Sequence, residues 1–253
     1  MKKPFLLIVL FLVVSSCATI TTPWVIDVTS LKSLFQLCES DLEKAKKVII
    51  DKDLVKILSH LQKMDSGGKK YYLLEREAIT SMIKSVTEGV YSDFILINRD
   101  GTVVYTMTNE KLFAGNVRTT LVKSALASCY DNRDVSPYIV RVPYLPSDAG
   151  SYIAVSSKVG GGKSMPGIFV LIIDVKKIQK LIGERSCAIG LDGKYEIAPD
   201  QRLINTQYHD FDKIDADGPR DEHAVHRFSR SSGGSAVYRF FIYSNLVWIL
   251  VSE

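Results

Sequence analysis

The run Ser157-Lys158-Val159-Gly160-Gly161-Gly162-Lys163-Ser164 has the glycine density and the closing Lys-Ser of a loop that cradles phosphate on backbone N–H groups. Two features argue against that chemistry. Ser157 stands where such a loop needs its first glycine, and Met165-Pro166 open a strand where a helix N-terminus would have to hold the anion. A hairpin loop is the better reading. His209, His223 and His226, near Asp221 and Glu222, suggest a metal set, but the His-x-x-His pair falls in a Gly/Asp/Arg-rich loop with no helical pattern. A solvated loop is expected there, with no metal and no other cofactor. A nucleophile elbow and a paired-carboxylate arrangement are both missing, so nothing in the sequence supports an enzyme.

The sharpest chemical signal is at the start. Residues 1–17 read MKKPFLLIVLFLVVSSC: two lysines, an apolar run of ten residues from Phe5 to Val14, then small residues before Cys17. That is the layout of a secretory leader, and the run is well short of the roughly 20 residues a membrane-spanning helix needs. Val14-Ser15-Ser16-Cys17 resembles the lipobox of bacterial lipoproteins, which implies a leader over 1–16, lipidation at Cys17, and a membrane anchor on the periplasmic side or at the cell surface. Several acyl chains at about 0.8 kcal/mol per buried CH₂ suffice for stable attachment. Cys38, Cys129 and Cys187 remain, an odd number without zinc-type spacing, and read as small buried thiols.

Composition sets wide bounds. The chain has 253 residues, 46% of them hydrophobic and 24% charged, with 16 Gly and 8 Pro, so collagen-like and disordered classes fall away. The formal net charge of +4 comes without a basic stripe, and no nucleic-acid partner is expected.

These residues need elements to position them. After a tether over 17–27, the apolar residues Leu31, Leu34, Phe35, Cys38, Leu42, Ala45, Val48 and Ile49 recur at steps of three and four, and the pattern resumes at Leu54, Val55, Leu58 and Leu61. Asp65-Ser66-Gly67-Gly68 breaks it, and a second helical pattern runs to Gly89. A long helix and a shorter one are thus expected to form a stalk over 28–89. Period two then takes over. Asp100-Gly101 and Asp192-Gly193 each sit between β-rich runs as hairpin turns, strand pairs follow over 151–157 with 166–175 and over 235–243 with 246–252, and 175–182 reads as a short helix. The order recurs, which predicts an internal repeat of Asp-Gly hairpin, variable loop and strand pair. The fold class expected is α+β, with the helices on one side of antiparallel sheets.

Here the residues resemble a known family, the extracytoplasmic Cache sensor domains, and in particular the double-Cache input region of chemoreceptors and membrane histidine kinases. The stretch "SDFILINRDGTVVYTMTNEKLFAGNV", then "PYLPSDAGSYIAVSSKV", "GIFVLIIDVKKIQKLI" and "LVWILVSE" are similar to its successive hairpin, capping, strand-to-helix and Trp-strand segments, over Tyr91 to Glu253. The resemblance implies a stalk followed by two PAS-like modules, the first at 90–183 and the second, reduced, at 184–253 with a polar loop from Asn205 to Ser232. Glu253 falls where the family continues into a transmembrane helix and a transmitter, so a sensor half working through a transmembrane signalling partner is expected, with homodimer pairing through the stalk helix left open. The resemblance also implies a small-molecule ligand in the first module. Tyr130, Tyr138, Tyr144 and Tyr152 would supply its aromatic walls, Arg118 and Arg141 a grip on a carboxylate, and Asp174 an acid for an amine. The aromatic–arginine–tryptophan signature of amino-acid-binding members is missing, so an amino acid is not specifically implied. The rival reading is a scaffold lipoprotein that keeps the fold without a ligand.

Overall fold

The computed structural model describes residues 28–64, 66–141, 152–160 and 167–253. Helix α1 spans Val28–Asp51 and buries Leu31, Phe35, Cys38, Leu42, Ala45 and Ile49, the stripe read from the sequence. Where one long helix was expected, the chain turns at Lys52-Asp53. Asp53 has φ 50, a left-handed backbone that α-helix cannot continue through, and α2 (Leu54–Lys63) starts after it. The turn lets α2 bury Leu54, Val55 and Leu58, and α3 (Ser66–Lys84) then returns along the core through Tyr72, Ile79 and Ile83.

Ten strands follow in two sets of five. The first set is β1 (Asp93–Asn98), β2 (Val103–Thr106), β3 (Tyr138–Val140), β4 (Tyr152–Val159) and β5 (Gly167–Asp174), with helix α4 (Ala125–Asp131) between β2 and β3. Helix α5 (Val175–Ile182) leads to β6 (Ser186–Ile189), β7 (Tyr195–Ile197), β8 (His226–Ser229), β9 (Ser235–Tyr243) and β10 (Leu246–Ser252). The sheets have orders β2-β1-β5-β4-β3 and β7-β6-β10-β9-β8, antiparallel throughout. These are the same topology used twice.

The repeat extends to individual hydrogen bonds. In the first unit the Gly101 N–H donates to Asn98 O (3.0 Å), Val103 to Gly115 O (2.8 Å), Ala114 to Val103 O (2.9 Å) and Val117 to Gly101 O (2.9 Å). In the second, Gly193 donates to Gly190 O (2.9 Å), Tyr195 to Thr206 O (3.0 Å), Asn205 to Tyr195 O (2.9 Å) and Tyr208 to Gly193 O (2.8 Å). Ala114 and Asn205 occupy the same left-handed position, at φ 66 and 65. Both turn glycines have positive φ, and a Cβ on Gly193 would strike Gln207 and Phe211, so only glycine fits.

The second sheet has its full five strands, with β8 drawn from the polar loop over 205–232. The reduction expected there is one of helix: among the described residues 183–253 contain two short 3₁₀ turns and no α-helix. Nor do the helices keep to one side. Phe169, Leu171 and Ile173 of β5 pack toward the main core with α1, while Ile168, Val170 and Ile172 pack beneath α4 on the other face. Covering both faces explains why "GIFVLIID" is apolar without alternation. The main core is continuous across both sheets. Phe35 of α1 has Tyr243, Phe241 and Trp248 around it at ring distances of 5.5, 5.9 and 6.1 Å, so α1 is packed down on the second sheet as well as the first.

Candidate functional site

Strand parity places three of the expected ligand residues on one surface. Tyr152 opposes Asp174 across β4 and β5, Tyr138 opposes Ser156 across β3 and β4, and residues two apart share a face, so Tyr138, Tyr152 and Asp174 all stand on the α4 side of the first sheet. Tyr138 shares a hydrogen bond with Ser128 of α4 at 3.0 Å. Asp174 accepts from the Lys176 N–H at 2.8 Å and so caps α5 with one of its two oxygens.

Tyr130 and Arg118 form a second group. The buried Tyr130 ring has two guanidinium groups over it, Arg118 at 5.1 Å and Arg133 at 4.9 Å from its centroid. Its hydroxyl donates to the Arg99 carbonyl and accepts from Arg118 Nη2 at 3.1 Å. Arg99 follows the end of β1 that pairs with Gly167, whereas Asp174 is at the far end of β5. At 3.2–3.4 Å per residue Tyr152 and Asp174 are about 20 Å from the Arg99 carbonyl that holds Tyr130, too far for one small solute to touch both, while Tyr138, in register with Ser156 and Val170, lies between them.

Arg141 faces elsewhere. Its guanidinium, 8% exposed, reaches the second unit, where Nη1 is 3.0 Å from Asn205 Oδ1 and 3.6 Å from Glu196 Oε2. Burial pushes the Glu196 carboxyl upward, and the Arg141 charge opposes the shift. Tyr144 and Cys17, with the leader, the tether and the glycine loop from Gly161, lie outside the described residues. The histidines are apart: His209 pairs with Asp210 at 3.1 Å, His226 stacks on Tyr238 at 4.7 Å, and His223 donates its backbone N–H to Asp221. Among the described residues no cluster could hold a metal. Cys38, Cys129 and Cys187 are free and buried. Desolvation pushes the Cys38 and Cys129 thiols up to about 12, which makes them poor nucleophiles.

The second sheet carries a feature the sequence did not disclose, a cleft of about 460 Å³. It opens where the start of β6, Tyr195 of β7 and the 3₁₀ turn Gln201–Leu203 meet Arg230 and Glu253, and its size suits a small molecule. Arg230 Nη2 is 2.6 Å from Glu253 Oε2, and Tyr208 donates to Glu253 Oε1 at 3.1 Å. Ser186, Arg230 and Glu253 come together through the β6–β10 pairing and the β8–β9 hairpin. That long-range assembly left no local motif to find.

Compared by sequence, the chain matches no family model and no curated protein. Compared by structure, it is similar to an extracellular ligand-binding receptor from Desulfohalobium retbaense DSM5692, with a TM-score of 0.59 at 8% identity. That likeness covers 88% of this chain and 38% of the receptor, so the chain spans well under half of its length. The ligand-binding domain of the Campylobacter jejuni chemoreceptor Tlp3 in complex with L-valine gives 0.55 at 9% identity over 89% of this chain and 87% of that domain. Its sensory domain with isoleucine bound gives 0.53 at 10% identity, over 89% and 86%. The chain has the fold of these extracellular ligand-binding domains, in agreement with the fold that the double-Cache resemblance of its sequence implies.

Proposed function

We propose that this is a non-enzymatic, lipid-anchored extracytoplasmic protein that captures a small solute and reports it through a membrane partner. The observation that carries the reading is the duplicated sheet unit on one continuous core, in a fold shared with solved extracellular ligand-binding domains. A solute can shift such a protein only by preferring one conformation. The joint between the sheets, where Arg141 meets Glu196 and Asn205, is where a change in one unit would reach the other.

The anchor is tested by labelled palmitate. Incorporation into the full chain and its loss in Cys17→Ala support lipidation, and no incorporation in either removes it. Ligand capture is tested by thermal shift of the full chain in detergent against amino acids, organic acids, purines and sugars. A site filled at 100 times its dissociation constant adds about 2.7 kcal/mol, a shift of a few degrees.

A scaffold without a ligand is the second reading, and a specific observation favours it. Arg118, Arg141 and Asp174 already serve internal contacts, with Tyr130, with Glu196 and Asn205, and at the start of α5. Silence across the whole panel from a folded protein would select it.

A further inference from the structure

We infer that two copies of this chain pair through the outward face of α3, with the helices parallel about a two-fold axis. This deepens the proposed reading, resting on it for the membrane anchor that holds both copies the same way up.

Helix α3 carries two apolar stripes. Tyr72, Ile79 and Ile83 face the core, while Tyr71, Leu74 and Ala78 recur at steps of three and four on the solvent side, with Leu74 67% and Tyr71 54% exposed. A surface helix needs only the first of these. The second has the spacing of a two-stranded coiled-coil seam, in which Tyr71, Leu74, Ala78 and Ser81 each meet their own counterpart, and the small side chains of Ala78 and Ser81 let the helices approach. Flanking charges select the partner and its direction. Lys70 and Glu75 border the stripe on opposite sides, so a parallel pairing brings Lys70 of each copy to Glu75 of the other, twice over. An antiparallel pairing over the same length opposes Glu77 to its own copy and Lys70 to Lys84. Arg76 is spent on Glu110 at 2.6 Å, whereas Lys70 and Glu75 make no ion pair among the described residues. The long helix α1 offers no rival seam: its outward residues Lys32, Gln36, Glu39, Glu43 and Lys47 are polar or charged, and a parallel pair would set like charges together. From Tyr71 to Ser81 the seam is about 15 Å long and buries less than the roughly 1,200 Å² of a standard interface, so the contact is weak and suited to chains confined to one membrane. A two-fold axis along α3 also puts the starts of both α1 helices at one level, as two anchors in one membrane require.

The test is disulfide cross-linking of the full chain in detergent at high protein concentration, with one cysteine introduced at a time. Leu74→Cys sets two thiols face to face across the two-fold axis, within reach of a disulfide, and should give a covalent dimer under mild oxidation. Leu74 is exposed, so the change leaves the core intact, and the parent with its buried Cys38, Cys129 and Cys187 supplies the background. Leu73→Cys, one position off the seam, and Glu43→Cys on α1 should stay monomeric. Lys70→Glu in the Leu74→Cys chain should cut the yield about threefold, and adding Glu75→Lys should restore it. No dimer from Leu74→Cys overturns the seam, as does an equal yield from Leu73→Cys or a dimer from Glu43→Cys in its place. A yield that ignores both charge changes overturns the parallel direction. The anchor is read separately by palmitate labelling at Cys17, so the failure of one is told apart from the failure of the other.

Discussion

The side chain of Asn245 holds the backbone of Ile139 as a neighbouring strand would. Its Oδ1 accepts from the Ile139 N–H at 2.8 Å and its Nδ2 donates to the Ile139 carbonyl at 2.7 Å. Ile139 belongs to β3, an edge strand whose outward polar groups meet no strand among the described residues, and Asn245 sits in the turn between β9 and β10. Ser244 in the same turn donates to the Pro137 carbonyl at 2.6 Å. A hairpin of the second sheet thereby closes the open edge of the first.

Asn245→Ala removes both bonds and leaves the buried Ile139 with an unpaired donor and acceptor. A loss of about 1 to 3 kcal/mol is expected in urea unfolding. Asn245→Asp, which keeps an acceptor but lacks the donor, should destabilise as well, and Asn245→Gln should not restore the pair because its amide is carried one methylene too far. Stability unchanged in Asn245→Ala would mean the edge does not depend on this clamp.

Asp41, fully buried on α1, receives the Glu88 and Gly89 N–H groups and the Tyr91 hydroxyl at 2.8 to 3.0 Å, with Lys44 3.8 Å away. It ties α1 to the segment that leads into β1. Asp41→Asn turns an amide N–H toward those donors and should cost about 2 to 3 kcal/mol, measured by chemical denaturation. A variant as stable as the parent would show that these bonds are not formed in solution.

Hydrogen bonds from the Ser231 hydroxyl and N–H, and the Lys213 ammonium 3.0 Å away, hold the Asp210 carboxyl well below the usual carboxylate range. The sign follows from linkage. A depressed folded-state pKa contributes stability that is present above the ordinary carboxylate value near 4 and is lost as pH falls through the folded value. Melting temperature should therefore fall less steeply below pH 4 in Asp210→Asn than in the parent, with the variant less stable at pH 7. Parallel pH profiles would contradict the assignment.

Cys38, Cys129 and Cys187 should resist thiol reagents at pH 8 in the folded protein and all react in guanidinium. Burial raises their pKa values and denies access together. Peptide mapping identifies the site, and native labelling at any of the three would show that its surroundings open.

The sequence by itself determined what depends on near neighbours. The three-and-four spacing of Leu31, Phe35, Cys38 and Leu42 made α1, the Asp-Gly pairs at 100–101 and 192–193 made hairpins, and the run from Val175 to Ile182 made a short helix. Each is written within a few residues because backbone preference and solvent exclusion act over one turn or one strand. The break at Asp53 was less visible, since Leu54 and Leu58 continue the apolar period and only the backbone angle interrupts it.

Tertiary structure alone decided where the side chains of these elements are used. Arg141 and Arg118 look alike in sequence, yet one is buried against Glu196 of the second unit and the other lies on the Tyr130 ring. Tyr152 and Asp174 meet because β4 and β5 pair in that register, and Tyr130 is kept from them by the length of β5. The cleft has the same origin: it joins Tyr195, Arg230 and Glu253 through the position of β10 at the centre of its sheet. Strand order is set by the total burial of both faces, a sum over the whole chain, and no short segment carries that sum.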